Sequence, residues 1–120
     1  MFNGTIWGRL FHLKVVYDCL GEEEILAAQE KAYELFRSAE SARNESEYEV
    51  KQYCLDKNRN EIAESEIDNI FKYVIPKYIY VVRDGRVAIM CNYKFDPEHG
   101  IAVIFMDGRL EMIGMQDLVL

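Results

Sequence analysis

Two Asp-Gly dipeptides, Asp84-Gly85 and Asp107-Gly108, constrain the fold of this chain more than any other feature. Each lies between two apolar runs, and this arrangement is typical of a two-residue β-hairpin turn, in which both turn residues need a positive φ. The sequence therefore predicts four strands, at 77–83, 86–93, 101–106 and 109–114. Tight turns would place these pairs opposite each other on the core face of the sheet: Val82 with Val87, Tyr80 with Ile89, Phe105 with Leu110 and Val103 with Met112.

The chain before Pro76 changes its pattern twice. Residues 5–18 alternate between two faces and are rich in aromatic and β-branched residues, which predicts a strand, or a strand bent near Gly8. Helical spacing of apolar residues follows from 22 to about 43, and further helices are predicted to begin at Ser46 and Ser65. The predicted fold class is α+β: an N-terminal strand, three helices and a four-stranded antiparallel meander, with the helices packed on one face of the sheet.

Size and composition suit one domain spanning residues 1–120, since 120 residues of which 50% are hydrophobic can bury a real core. No apolar run reaches the ~20 residues that a membrane span needs, and the N-terminus lacks the pattern of a secretion signal. Three widely spaced cysteines favour free thiols in a reducing compartment, with Cys54 and Cys91 in the core and Cys19 exposed. We therefore expect a cytoplasmic protein with no membrane partner.

Negative charge is concentrated in the helical region. The net charge is −7, and residues 21–68 hold 14 acidic and 6 basic side chains. A surface of this sign disfavours nucleic acid and attracts a basic protein partner, although such a stretch is often only a solvated face. The candidate partner surface consists of the acids that lie off the apolar stripes of the first two helices or between them: Glu22, Glu23, Glu30, Glu34, Glu45, Glu47 and Glu49.

The densest polar cluster is Asp96-Pro97-Glu98-His99-Gly100, in the loop between the two predicted hairpins. Two carboxylates and an imidazole could move a proton or bind a metal, with help from His12 or Asp117. Asp, Pro and Gly in this order are also what a simple chain reversal requires, and we favour this structural interpretation. The sequence contains no Gly-rich phosphate loop, His-Glu-x-x-His, Gly-x-Ser-x-Gly or Cys-x-x-Cys motif, so no catalytic residue, cofactor or metal is predicted.

The run from Asn92 to Phe105, followed by Ile113-Gly114-Met115-Gln116-Asp117, resembles a family of small bacterial domains of unknown function. Its members resemble this chain in an aromatic-Asp-x-Glu-His-Gly turn, an apolar strand, a short hairpin and a Gly-x-Gln-Asp finish. The stretch 15–18 and the helix containing Gln29 are similar too. The resemblance implies that Asp96, Glu98, His99 and Asp117 are motif residues, and such domains resemble those found near toxin–immunity systems.

Two hypotheses about function follow. The first is a non-enzymatic bacterial interaction module, of the kind in which an immunity-type inhibitor blocks a basic partner with an acidic surface. The alternative is a small hydrolase or metal-dependent enzyme centred on Asp96, Glu98 and His99. An acidic patch facing outward would favour the first, and a concave pocket that gathers the loop side chains would favour the second.

Overall fold

A computed structural model describes residues 1–19 and 24–120, and these residues form one six-stranded sheet and two α-helices. The strands are β1 (Phe2–Ile6), β2 (Arg9–Tyr17), β3 (Val74–Val81), β4 (Arg86–Tyr93), β5 (Ile101–Met106) and β6 (Arg109–Gly114). The helices are α1 (Ala27–Ser38) and α2 (Glu40–Lys57). The strands lie in sequence order, and every neighbouring pair is antiparallel except β2 and β3, which are parallel.

The predicted fold class is therefore wrong. The predicted N-terminal strand is a hairpin of two strands, so the described sheet has six strands and is mixed instead of a four-stranded antiparallel meander. Trp7 (φ 52°) and Gly8 (φ 80°) form the two-residue turn of this hairpin. Tryptophan is not a typical turn residue, and its buried ring is held by a hydrogen bond from Nε1 to Ser46 Oγ (2.9 Å). Tertiary packing thus selects a turn that local propensity does not indicate.

The predicted third helix is also wrong. Residues 64–66 and 70–72 form short 3₁₀ turns, and β3 begins at Val74. Val74 pairs with Tyr93 in the sheet, and the Tyr73 carbonyl accepts a hydrogen bond from the Lys94 N–H (2.9 Å). The backbone groups of Tyr73 and Val74 therefore bond to the sheet and not to a helical turn. The segment before them is too short to form a stable helix on its own.

The other two helices differ from prediction in their boundaries. The predicted start of the first helix, near Glu22, lies outside the described residues, and α1 begins at Ala27. Gln29 fixes that start, because its Oε1 accepts from the Leu26 N–H (2.9 Å) and its Nε2 donates to the Val81 carbonyl (3.2 Å). The second helix begins six residues earlier than predicted, at Glu40, directly after α1.

Of the four strands predicted from the Asp-Gly signals, β4, β5 and β6 have the expected boundaries. The β3–β4 register differs by one residue: Val81, not Val82, pairs with Val87. The Gly85 N–H donates to the Val82 carbonyl (3.1 Å) and the Val82 N–H to the Arg86 carbonyl (2.8 Å), which makes a three-residue loop. A register shift of one residue exchanges the two faces of a strand. Tyr80 and Val82 therefore lie on the face away from the main core.

The β5–β6 register is partly as predicted. Asp107 (φ 54°) and Gly108 (φ 78°) form the expected two-residue turn, and Phe105 pairs with Leu110. Beyond that pair the register shifts, because β6 has one extra residue, Glu111. Val103 therefore pairs with Ile113 and not with Met112.

The sheet and the helices enclose the main core, in which Val87, Ile89 and Phe105 pack with residues such as Phe36 and Val50. Helix α2 contacts both edge strands, β1 and β6, so the sheet curls around it. No helix in the described ranges, 1–19 and 24–120, has the length and apolar character to cross a bilayer.

Candidate functional site

The loop between β4 and β5 is a turn held by Asp96. The Asp96 carboxylate accepts a hydrogen bond from the His99 backbone N–H (3.2 Å), and its carbonyl accepts one from the Gly100 N–H (2.9 Å). Gly100 closes the turn at φ 60°, a conformation that glycine adopts without strain. These contacts explain Asp96 and Gly100 as turn residues.

Gln116 fastens this turn to the C-terminal segment. Its backbone N–H donates to the His99 carbonyl (3.1 Å), and its side-chain amide donates to the Cys91 carbonyl at the end of β4 (2.9 Å). A Cβ added to Gly100 would lie 2.6 Å from both the Cys91 oxygen and Gln116 Nε2, so only glycine fits there. The glycine of the turn and the glutamine near the C-terminus therefore form one packed unit.

Asp96 also holds the His99 ring, whose Nδ1 lies 3.0 and 3.1 Å from the two carboxylate oxygens. This hydrogen bond and the Asp96 charge raise the pKa of His99, and the charges of Glu98 and Asp117 act in the same direction. The pair can therefore hold a proton. Among the described side chains, no hydroxyl or thiol lies within hydrogen-bond distance of the ring, so the pair is not placed to activate a side-chain nucleophile.

The structure brings Asp96, Glu98, His99 and Asp117 into one neighbourhood and leaves His12 apart. His12 lies on β2, where its Nδ1 is 2.6 Å from Asn3 Oδ1, and β3 separates β2 from β4. In the part of the chain that the structure describes, no group of three or more His, Cys, Asp or Glu side chains is arranged to hold a metal ion.

A cavity of about 420 Å³ opens beside this loop, between the end of α2 and the end of β6. Tyr93 lines it and donates its hydroxyl proton to Asn58 Oδ1 (2.5 Å). Burial raises the pKa of Tyr93, and burial also raises that of the neighbouring Cys54 thiol to about 11. Both groups are protonated at neutral pH, so neither is an activated nucleophile.

The cysteines follow the prediction in part. Cys54 and Cys91 are buried free thiols in the core, as expected, whereas Cys19 is half-buried and not exposed.

A second cleft, of about 520 Å³, runs between α2 and β6. Helix α2 lines it with Glu49, Gln52, Tyr53 and Asp56, and β6 lines it with residues 110–113. A smaller cleft of about 260 Å³ shares Glu49 with it and extends to Glu45 and Arg109. We refer to these two adjoining spaces together as the α2–β6 cleft.

The walls of the α2–β6 cleft are acidic. Glu45 and Glu49 on α2 and Glu111 on β6 are exposed, and none of the three forms an ion pair with another described residue. Asp56 pairs only with Arg59 at the surface (3.2 Å), where both side chains are about 70% exposed. Arg109 lines the smaller space beside Glu45 and Glu49 but forms no ion pair with another described residue. Among the described residues that line the cleft, four carboxylates therefore face one basic side chain.

A family model matches residues 4–120. The chain belongs to the family DUF6985, a domain of unknown function. Neither the curated proteins nor the solved structures include a match to it. Membership in a family of unknown function is thereby confirmed, whereas the C-terminal motif, the bacterial source and the toxin–immunity context stay predictions.

In this DUF6985 domain, the candidate partner surface divides according to the helices. Glu30 and Glu34 lie exposed on α1, where Glu34 forms an ion pair with Arg37. Burial raises the pKa of Tyr17, and the charges of these two acids add to the effect. Glu22 and Glu23 lie outside the described residues.

On α2, Glu47 pairs with Lys51 (2.8 Å), while Glu45 and Glu49 line the α2–β6 cleft. Asp56 and Glu111 were not among the candidates from sequence. The spacing of Glu45, Glu49, Gln52 and Asp56 places them on one face of a helix, and this spacing could have revealed Asp56 if α2 had been predicted to continue through it. No sequence signal marks Glu111, because its position depends on the extra residue in β6.

Proposed function

We propose that this DUF6985 domain is a non-enzymatic interaction module that binds a basic protein partner, in the way an immunity-type inhibitor does. The observation that carries the proposal is the α2–β6 cleft. Glu49 and Asp56 of α2 line the same space as Glu111 of β6, and Glu45 lines the adjoining smaller space with Arg109. Three of these four carboxylates have no ion-pair partner among the described residues.

Like charges on facing walls repel each other, and a partner that brings lysine or arginine side chains relieves this repulsion. Because the carboxylates are exposed, their attraction also acts at a distance and raises the rate at which a basic partner associates. The acids on α1 contribute to the same long-range field.

The loop at 96–100 supports the alternative hypothesis only through the Asp96–His99 pair. Its other features are explained by the turn and by its connection to Gln116. The experiment below therefore includes the loop as the competing site.

The test compares two double variants with the same change in charge: Glu45→Lys with Glu49→Lys in the cleft, and Glu98→Lys with Asp117→Lys at the loop. All four side chains are exposed, so both variants should fold. We expect the cleft variant to slow association with a basic partner, isolated from the native cell, by about tenfold or more at low salt. The difference should shrink at high salt because of screening.

The loop variant should associate nearly as fast as the parent. The opposite ranking, with the loop variant impaired and the cleft variant unaffected, would contradict the proposal and favour the enzyme hypothesis.

A further inference from the structure

The α2–β6 cleft contains an open edge of the sheet. Strand β6 pairs with β5 on one side and, in the described structure, with no strand on the other. The turn at Asp107-Gly108 makes Met106 and Arg109 the first hydrogen-bonded pair of the hairpin. Because such pairs alternate along an antiparallel ladder, the N–H and C=O of Leu110 point outward, and those of Ile113 do so beyond the extra residue Glu111.

These outward groups are not used within the domain. Of the hydrogen bonds between described residues that lie outside the helices and the sheet ladder, none involves a backbone group of residues 109–114. A row of unpaired backbone groups is a template for an added strand.

The charges of the cleft fit one kind of added strand. Successive acidic positions on α2, such as Glu45 and Glu49, are separated by a rise of about 6 Å. Side chains on one face of a strand repeat every two residues, or about 6.6–6.8 Å. Basic side chains at alternate positions of a strand beside β6 would therefore match the spacing of Glu45 and Glu49, whereas Asp56, about 10–11 Å beyond Glu49, would meet a later basic position.

The span of this acidic face limits the length of the partner segment. From Glu45 to Asp56 the helix rises about 16–17 Å, which equals about five to six residues of extended chain. A second copy of this domain is a poor occupant, because its own β6 would bring Glu111 and its net charge of −7 against the same carboxylates.

We infer that β6 is the acceptor edge for an extended, basic segment of the partner, which adds a strand to the sheet inside the α2–β6 cleft. This inference rests on the proposed function and names how the basic partner is held. Main-chain hydrogen bonds to β6 supply the pairing, and lysine or arginine at alternate positions supplies the selectivity for the acidic wall.

The test uses a synthetic octapeptide of alternating Lys and Val with blocked ends as the probe. Two further peptides carry N-methyl groups on alternate residues, one set for each edge of the extended chain. N-methylation removes hydrogen-bond donors from one edge and leaves the charge unchanged. We expect one of the two methylated peptides to bind at least about tenfold more weakly than the parent peptide and the other to bind like it, since only one edge pairs with β6.

Two protein variants accompany the peptides. Glu49→Lys should weaken binding of the probe by about tenfold or more. Its control, Glu24→Lys, changes an exposed residue outside the candidate partner surface and should alter binding by less than about threefold. Equal binding of all three peptides, or equal loss for both methylated peptides, would overturn strand addition. If Glu49→Lys still weakened binding in that case, the basic-partner proposal would stand without it.

Two other results overturn the inference. If the probe shows no binding at about 1 mM and low salt, β6 is not an acceptor edge for basic strands. If a peptide with Glu in place of Lys binds as well as the probe, the charge argument fails, and the proposed function fails with it.

Discussion

The two edge strands of the sheet, β1 and β6, have similar turns but differ in how helix α2 contacts their backbone. Each belongs to a hairpin with a two-residue turn of positive φ, Trp7-Gly8 for β1 and Asp107-Gly108 for β6, and each lies against α2. On the β1 side, Arg43 of α2 donates from Nε to the Thr5 carbonyl (3.0 Å). The same helix makes no hydrogen bond to the β6 backbone in the described structure and faces β6 across the α2–β6 cleft.

This difference shows how one helix can hold one edge of a sheet at a single carbonyl and make no hydrogen bond to the backbone of the other edge. Arg43 is 3% exposed and also donates from Nη1 to the carbonyls of Phe36 (2.9 Å) and Arg37 (2.8 Å). Its guanidinium lies 4.9 Å from the centre of the Phe2 ring. Asn44 accepts a hydrogen bond from the Gly8 N–H (3.1 Å) at the turn next to the same edge. The β1 edge is therefore fastened to α2 at the Thr5 carbonyl, whereas no side chain of α2 bonds to the β6 backbone in the described structure.

The largest expected effect comes from removing the contact of Arg43 with the Thr5 carbonyl of β1. Arg43→Met keeps an unbranched side chain, although a shorter one, and removes three hydrogen bonds to backbone carbonyls. The partly buried carbonyls of Thr5 and Arg37 lose this donor, whereas the Phe36 carbonyl keeps the Ala39 N–H (3.1 Å). We expect the free energy of unfolding to fall by about 2–4 kcal/mol. Urea unfolding measures this, with Arg59→Met as the control, since the exposed Arg59–Asp56 pair should contribute less than about 1 kcal/mol. Equal losses of stability in the two variants would mean that the Arg43 hydrogen bonds do not stabilise the β1 edge.

The next effect concerns the turn at Gly100, which Gln116 fastens to the segment that follows β6. Gly100→Ala places a Cβ against the Cys91 carbonyl and the Gln116 side chain, at a positive φ. We expect a loss of about 2–3 kcal/mol from the clash and the backbone strain together. Gly85→Ala is the matched control, because its φ is also positive (96°) but its nearest atom, Met106 Sδ, lies 3.7 Å away. The control should lose only about 1 kcal/mol.

The turns that lead to the two edges give a smaller and more direct comparison. A Cβ on Gly8 meets no atom within 4 Å, whereas one on Gly108 lies 3.3 Å from the Leu35 carbonyl oxygen of α1. Both glycines have positive φ, so Gly8→Ala should cost about 1 kcal/mol and Gly108→Ala about 1–2 kcal/mol. Thermal unfolding of the two variants under the same conditions checks the order. A larger loss at Gly8 would contradict the packing of α1 against the β5–β6 turn.

Much of the β3–β6 region could be predicted from the sequence, and much of the region before it could not. Continuous apolar runs and Asp107-Gly108 define β4, β5 and β6, because these signals are local. Trp7 carries no turn signal, so the β1–β2 hairpin depends on contacts with α2 that are distant in sequence. The Asp84-Gly85 signal was correct as to the hairpin and wrong as to loop length, which shifted the register by one residue.

The candidate site likewise has one part that could be predicted from the sequence and one part that could not. The turn at 96–100 could be predicted, since Asp, Pro and Gly act through nearby backbone groups. The α2–β6 cleft could not, because it exists only where α2 meets β6, and no local pattern brings Glu49 and Glu111 to the same space.

The smallest expected effect is a shift in the pKa of His99. The Asp96 hydrogen bond raises the pKa of His99 above its ordinary value of 6.5, so the pair stabilises the fold below that pH and this contribution is lost as the pH rises through the folded-state pKa. Asp96→Asn should therefore lower the pKa, as measured by NMR titration of the imidazole. Glu98→Gln should lower it less, because Glu98 acts only through its charge. A pKa that is unchanged in Asp96→Asn would contradict the pairing.

The most direct test of the central claim, that β6 is an open acceptor edge, is amide hydrogen exchange of the intact domain with and without the Lys–Val octapeptide. In the free domain, the outward N–H groups of Leu110 and Ile113 should exchange fast. At saturating peptide their exchange should slow by about tenfold or more, because they then donate to the added strand, while exchange in α1 stays the same. If the peptide binds and protection appears only elsewhere, or if these two amides are already protected in the free domain, the account of β6 as an open edge is contradicted.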